Sequence, residues 1–257
     1  MMENRNTGTR EWAQSTVNCV TGCSHNCRYC YARHNAVDRF KRVAANNWST
    51  MVVRDADVRK NRGKKQGVIM FPSTHDITPE VLEPCLEVLK KLLDKDNEVL
   101  LVSKPHEAVI VEIVKRFHLA TDLLRFRFTI GSPNDSILKF WEPGAPTFAE
   151  RLRALELAFN AGFKTSISAE PLIDPADVKT LWDELIPYVN WEFWIGKMNK
   201  TNLRVDISDA ETRMMMTPIL EGQTDERVME IYRTFKDEPL IQWKDSYKEV
   251  IERCGSE

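Results

Sequence analysis

The sequence predicts an α/β fold, a partial (β/α)6 TIM-like barrel. Short apolar runs alternate with stretches of helical period along the chain, the pattern of a parallel sheet wrapped by helices. About six such strand–helix units can be read, short of the eight that close a full barrel. The first run ends in a glycine turn that leads directly into clustered cysteines, so reactive side chains stand at the carboxyl end of a strand, where barrels place their active sites.

The first strand is Ser15 to Val20, followed by Thr21-Gly22 and a helix from about Tyr31 towards Val43. Gly67 to Phe71 forms the second strand, stopped by Pro72. Thr78 then caps a helix with Pro79 at its first position and an apolar stripe through Val81, Cys85, Leu89 and Leu92. Glu98 to Ser103 is the third strand, with a helix over Glu107 to Phe117, and Arg125 to Gly131 is the fourth. Thr147 and Glu150 make a capping box for a helix that Gly162 ends. Lys164 to Ala169 is the fifth strand, and a helix starts at Asp174-Pro175 and runs to about Ile186. Trp191 to Ile195 is the sixth strand. A helix near Asp225–Phe235, an apolar run at Leu240–Trp243 and a helix from Lys244 complete the chain, while Lys41–Gln66 fits no regular element and reads as a lid or insertion.

The 257 residues suit one domain, with its core at about residues 12–200 and a C-terminal extension, 201–257, packed on the barrel. A composition of 42% hydrophobic and 29% charged residues is that of a soluble chain. A formal net charge of −2 excludes electrostatic nucleic-acid binding by the molecule as a whole. There is no apolar run of the roughly 18 residues that a membrane helix needs. The opening MMENRNTGTREW has no apolar signal segment, so a cytoplasmic protein without membrane contact is expected.

Of six cysteines, Cys19, Cys23, Cys27 and Cys30 crowd together, whereas Cys85 and Cys254 lie apart. Such crowding suits metal or cluster ligation better than a disulfide framework. Cys23, Cys27 and Cys30 have the spacing CxxxCxxC. Three thiolates on one loop can hold three irons of a cubane and leave the fourth open to a small molecule. The competing reading is a zinc site built from the four cysteines with His25 or His34, in a nucleic-acid-binding module without catalysis. Zinc sites usually add a distant second ligand pair, which is missing here. Cys19 reads as a buried thiol and Cys85 as part of a helix core.

With Gly22 before it and Tyr29 next to its third cysteine, this stretch resembles the motif of the radical S-adenosylmethionine (radical SAM) superfamily. The resemblance implies a barrel of the radical SAM type, a [4Fe–4S] cluster on Cys23, Cys27 and Cys30, and S-adenosylmethionine as cofactor. One-electron cleavage of that cofactor would give a 5′-deoxyadenosyl radical that removes hydrogen from a substrate. Tyr29 would pack the adenine. The polar group Ser73, Thr74, His75 and Asp76 after the second strand would meet the methionine amino group, and Lys104 the carboxylate. Ser132 would hold the ribose, with Ser168 at the end of the fifth strand. Ser73 and Thr74 read equally as a helix-opening turn, and Lys104 as a solvated loop residue.

Residues 12–175 resemble more narrowly the spore photoproduct lyase-like branch, through TVNCVTGCSHNCRYCYAR, PSTHDITPE, LLVSKP and EPGAPTFAERLRALELAFNAGFKTSISAEPLID. By that similarity Arg151 lies near the cofactor and lyase chemistry on a nucleotide or nucleic acid is implied, with a peptide or small metabolite as the other enzyme reading. An electron donor such as flavodoxin or ferredoxin is the expected partner. That lyase uses a hydrogen-donating cysteine just beyond the second strand. Here the stretch is Phe71-Pro72-Ser73-Thr74, so thymine photoproduct repair is not expected. The basic residues between Arg54 and Lys65 read either as a solvated loop or as a phosphate-contacting arm. Trp48, Trp141, Trp191, Trp194 and Trp243 read either as base-stacking groups or as core and rim packing.

Overall fold

The computed structural model describes residues 7–255. A 3₁₀ turn (Gly8–Glu11) precedes β1 (Ser15–Thr16), and β2 (Val20–Thr21) leads into the cysteine loop. Then follow α1 (Tyr31–Arg33), β3 (Val52–Val53), α2 (Asp55–Arg59), β4 (Ile69–Phe71) and α3 (Leu82–Leu93). The central layer continues through β5 (Val99–Ser103), α4 (Glu107–Phe117), β6 (Leu124–Thr129), α5 (Asp135–Trp141), α6 (Phe148–Asn160) and β7 (Lys164–Ala169). The last part holds α7 (Val178–Leu185), β8 (Glu192–Ile195), α8 (Thr201–Arg204), α9 (Ala210–Glu221), α10 (Asp225–Phe235), β9 (Ile241–Trp243) and α11 (Asp245–Cys254).

Seven strands form one sheet in the order β1-β4-β5-β6-β7-β8-β9, every pair parallel. Each sheet strand lies beside the next in sequence with a helix between, which is the winding of a barrel. The ring does not close, since β1 and β9 stay at opposite edges, so the fold is a partial TIM-like barrel. All of β5 is buried, as expected of a strand covered on both faces. Between sheet and helices, Leu86, Leu89 and Leu92 of α3, Val109 and Ile113 of α4, and Ala154 and Leu155 of α6 pack into one core.

Three expectations change. The barrel has seven strands because Leu240–Trp243 supplies β9, parallel to β8; the C-terminal residues therefore enter the sheet itself. The first strand is broken: Ser15–Thr16 pairs with β4, whereas Val20–Thr21 leaves the sheet to pair antiparallel with β3. The segment 41–66 is also more ordered than a lid. It carries a 3₁₀ turn (Ala45–Asn47), β3 and α2, and Arg54 donates to the carbonyls of Asn18 and Val20 and to Thr21 Oγ1. Arg54 thus braces the strand that delivers the cysteines, a role other than that of a solvated arm.

The tryptophans serve packing. Trp12, Trp191 and Trp194 surround the buried Arg127 guanidinium at 4.7, 4.9 and 5.3 Å. Trp243 stacks on Tyr247, and Trp141 is fully buried. Trp48 lies 2% exposed beside Cys23. Among the described residues no helix is long and apolar enough to cross a membrane.

Candidate active site

The cysteine loop is fixed from two sides by close backbone contacts. Gly22 has φ +88°, and a side-chain carbon there would lie 2.2 Å from the Thr50 carbonyl oxygen. Only glycine suits both the left-handed conformation and the contact. The Cys23 amide donates to the carbonyl of Trp48 (2.9 Å), so segment 41–66 forms one wall of the loop. On the other side Gly144 donates to the carbonyl of His25 (3.0 Å), and Arg28 donates to that of Trp141 (2.9 Å). A Cβ at position 144 would come within 2.1 Å of the Ser24 carbonyl oxygen.

Cys23, Cys27 and Cys30 line one cavity of about 670 Å³, joined by Tyr29, Ser73, Thr74, His75, Lys104 and Ser168. Burial pushes the Cys23 thiol up to about 12, helped by the Asp76 carboxylate. Burial also raises Cys27 well above the ordinary thiol range, and raises Cys30. These thiols need a cation at hand before they ionise, and a set of three facing one space suits soft iron. Cys19 takes no part: its sulfur lies 3.7 Å from that of Cys85, both fully buried in the core. The four-cysteine zinc set is therefore not assembled.

Asp76, part of the polar loop after β4, organises the floor. Its Oδ1 accepts from Ser103 Oγ (3.0 Å) and from the Lys104 amide (2.8 Å), and its Oδ2 accepts from His25 Nδ1 (2.8 Å). Lys104 Nζ lies 3.7 Å away. Burial alone would raise this carboxyl, but Lys104 and His25 outweigh it and hold it well below the usual range. Burial likewise works against the charge of Lys104, yet the carboxylates of Asp76 and Glu142 help keep its ammonium well above its ordinary value. Cys23, His25 and Asp76 offer three donor atoms within 4.8 Å. Both ring nitrogens of His25 are already engaged, by Asp76 and by His106 Nε2 at 2.9 Å, which makes this trio a brace for the loop.

The remaining expected residues divide into cavity wall and scaffold. Asn18 Oδ1 accepts from the amides of Ser73 (2.7 Å) and Thr74 (2.9 Å), which shapes the turn that presents them. Ser168 is buried on the cavity wall and its Oγ has no hydrogen-bond partner among the described residues, a group waiting for a ligand. His75 lines the cavity, but its Nδ1 donates to the Asp76 carbonyl and its Nε2 accepts from the Cys19 amide, so it acts mainly as a strut. Ser132 is turned away: its Oγ donates to Asp174 and accepts from the Asn134 amide, and it does not line the cavity. Arg151 also lies outside the cavity wall, fully buried and 2.6 Å from Glu142, which in turn accepts from the Tyr29 hydroxyl. It reaches the site through Glu142 and Tyr29, and through the carbonyl of the cavity residue Thr129, to which its Nη1 donates (3.2 Å). Burial and the Glu142 charge keep the Tyr29 phenol protonated, well above its ordinary range.

Sequence reading placed Asp76 only as the last member of the polar loop after the second strand and gave Glu142 and Asn18 no role, because their partners lie far along the chain. A second, more open hollow of about 820 Å³ lies on the outside, lined by α2, α3 and the end of α4, and shares no residue with the cysteine cavity.

A family model described as the radical SAM superfamily matches residues 17–175, which span the cysteine loop and the polar ends of β4 to β7. The chain belongs to the radical SAM superfamily. It is therefore an enzyme of the radical SAM type, and its family's cofactors are a [4Fe–4S] cluster and S-adenosylmethionine. An uncharacterized protein of Methanocaldococcus jannaschii is 25% identical over 190 residues, covering 71% of this radical SAM chain and 70% of the relative. Among solved structures, a doubly substituted spore photoproduct lyase with bound AdoMet and dinucleoside spore photoproduct superposes with a TM-score of 0.49. The two are 15% identical, and the match covers 93% of this chain and 78% of that one.

Proposed function

We propose that Cys23, Cys27 and Cys30 hold the cluster and that the polar strand ends around them hold S-adenosylmethionine, for hydrogen abstraction from a small substrate. The observation that carries the reading is the meeting, in one cavity, of three buried thiols with Lys104, Ser73, Thr74 and Ser168. When bound, the cluster supplies the electron that splits S-adenosylmethionine into methionine and a 5′-deoxyadenosyl radical, which takes a hydrogen atom from the substrate.

The chain's own part is to bind, orient and keep water out. Lys104, charged and steered by Asp76, offers its ammonium to the cofactor carboxylate. Ser73 and Thr74, fixed by Asn18, present polar atoms to the amino group. Tyr29, held by Glu142, sets an aromatic wall for the adenine, and Ser168 supplies a free hydroxyl. Ser132 and Arg151 are assigned scaffold roles instead of direct contact.

The leading substrate class is a nucleotide, nucleoside or nucleic acid, by likeness to the lyase-like branch; a peptide or small metabolite is the second. Thymine photoproduct repair is not proposed, since the turn after β4 has no cysteine. A flavodoxin or ferredoxin in the cytoplasm is the proposed reductant, a compartment that keeps the six free thiols reduced. The test is anaerobic reconstitution with iron and sulfide, reduction with S-adenosylmethionine, and chromatography for 5′-deoxyadenosine. Wild type should form it and Cys27→Ala should not. Equal yields, or a preparation that carries only zinc, would sink the reading.

A further inference from the structure

The cavity wall has two parts of different origin. The part described above lies within residues 17–175, the span shared with the superfamily. Most of the rest comes from chain outside that span: residues 7–12, the stretch 197–204, and residues 245–249. Here two side chains of opposite charge face the cavity without meeting.

Glu170, just past β7, has its Oε2 held by the buried Lys244 at 3.2 Å. Its Oε1 has only a long contact from Asn199 Nδ2, at 3.5 Å. Arg204, the last residue of α8, lies over the Tyr31 ring at 5.8 Å, and among the described residues its guanidinium makes no hydrogen bond or ion pair. Glu170 and Arg204 feel each other's charge but form no salt bridge, and Arg204 stands near enough to Cys30 to border the cysteine loop as well. A half-buried guanidinium and a partly shielded carboxylate oxygen thus face the cavity with bonding capacity left for a ligand. Tyr31 joins the two parts, because its hydroxyl donates to the Ser73 carbonyl while its ring faces Arg204.

We propose that Arg204 and Glu170 are the substrate-recognition pair of this site. Arg204 receives an anionic group of the substrate, and Glu170 receives a hydrogen-bond donor or cationic group of the same molecule. Lys244 is a positioning residue that fixes the direction of the Glu170 carboxylate. The substrate is therefore a small amphoteric molecule, since a uniformly anionic polymer would bring phosphates against Glu170. The assignment rests on the reading that the cysteine part holds S-adenosylmethionine. The anion is a phosphate monoester or a carboxylate, and both would meet a guanidinium fork in the same way.

The reconstituted enzyme, with S-adenosylhomocysteine filling the cofactor part, is titrated calorimetrically with two pairs of probes. One pair is cytidine 5′-monophosphate and cytidine; the other is an amphoteric dipeptide and its C-terminal amide. The member of one pair that carries the phosphate or carboxylate should bind, and Arg204→Ala should weaken it about 10- to 100-fold while the partner lacking that group is little affected. Arg204→Lys should restore part of the loss, and Glu170→Gln should weaken both members of that pair. The pair that responds identifies the anion. Equal affinities in wild type and Arg204→Ala, or no binding of any probe to wild type, would overturn the assignment. Cluster content and S-adenosylhomocysteine binding are read on the same samples, and their absence from wild type would instead overturn the cofactor reading, and this one with it.

Discussion

Asp76 places one buried carboxylate between the cysteine loop and β5, accepting from His25, Ser103 and the Lys104 amide. Asp76→Asn removes one of the carboxylates that balance Lys104 and puts an amide hydrogen against His25. Removing one partner from such a buried set costs about 3–5 kcal/mol, to be measured by urea unfolding at neutral pH. The sign with pH follows from the depressed carboxyl. Its stabilising contribution is complete above the unfolded value of about 4 and falls away as pH drops towards the lower folded value. The acid side of the stability profile should therefore be flatter in Asp76→Asn than in wild type. Gly22→Ala acts differently, by driving a Cβ into the Thr50 carbonyl at a positive φ. Backbone strain of this kind costs about 1–3 kcal/mol and should show as reduced iron bound per chain after reconstitution.

At the level of elements, the helices and strands with local signals were legible. The Thr147 hydroxyl accepts from the Glu150 amide as the capping box requires, and Lys164–Ala169 is a strand over its whole expected length. Thr147→Ala should lower stability by about 1 kcal/mol, read as a drop in Tm. What was not legible depends on partners far away. The first strand splits because Asn18 turns its side chain to the Ser73–Thr74 amides and Val20–Thr21 pairs with β3. The helix after Cys30 widens into a π-helix over His34–Arg39, which apolar spacing does not announce. The thiols themselves stood out by spacing, but Ser132 and Arg151 were placed by analogy, and their hydrogen bonds lead into the scaffold. Arg54 looked like part of a solvated basic run, yet its guanidinium braces β2. Arg54→Ala should lose about 1.5–3 kcal/mol and slow cluster incorporation, followed by the visible absorbance of reconstituted protein.

For the whole molecule, the unclosed seam between β1 and β9 is bridged by side chains. Lys244 follows β9, and its buried ammonium meets Glu11 (2.7 Å) and the Gly8 carbonyl (3.0 Å) just ahead of β1, while Glu11 also accepts from the Asp245 amide (3.1 Å). Gly196 leaves room for the Lys244 stem, whose carbons would lie 2.7 Å from a Cβ there. Lys244→Met would strand two carboxylates at the seam, and should destabilise by about 3–5 kcal/mol. Amide exchange over Gly8–Glu11 should rise more than exchange in β5.

The outermost strands of the sheet are only two and three residues long. Another copy of the chain therefore finds too few free amides along either border to extend the ladder and start a fibrous stack. Light scattering of concentrated protein should stay flat with time, and the architecture tolerates an open ring without inviting self-association along its rim.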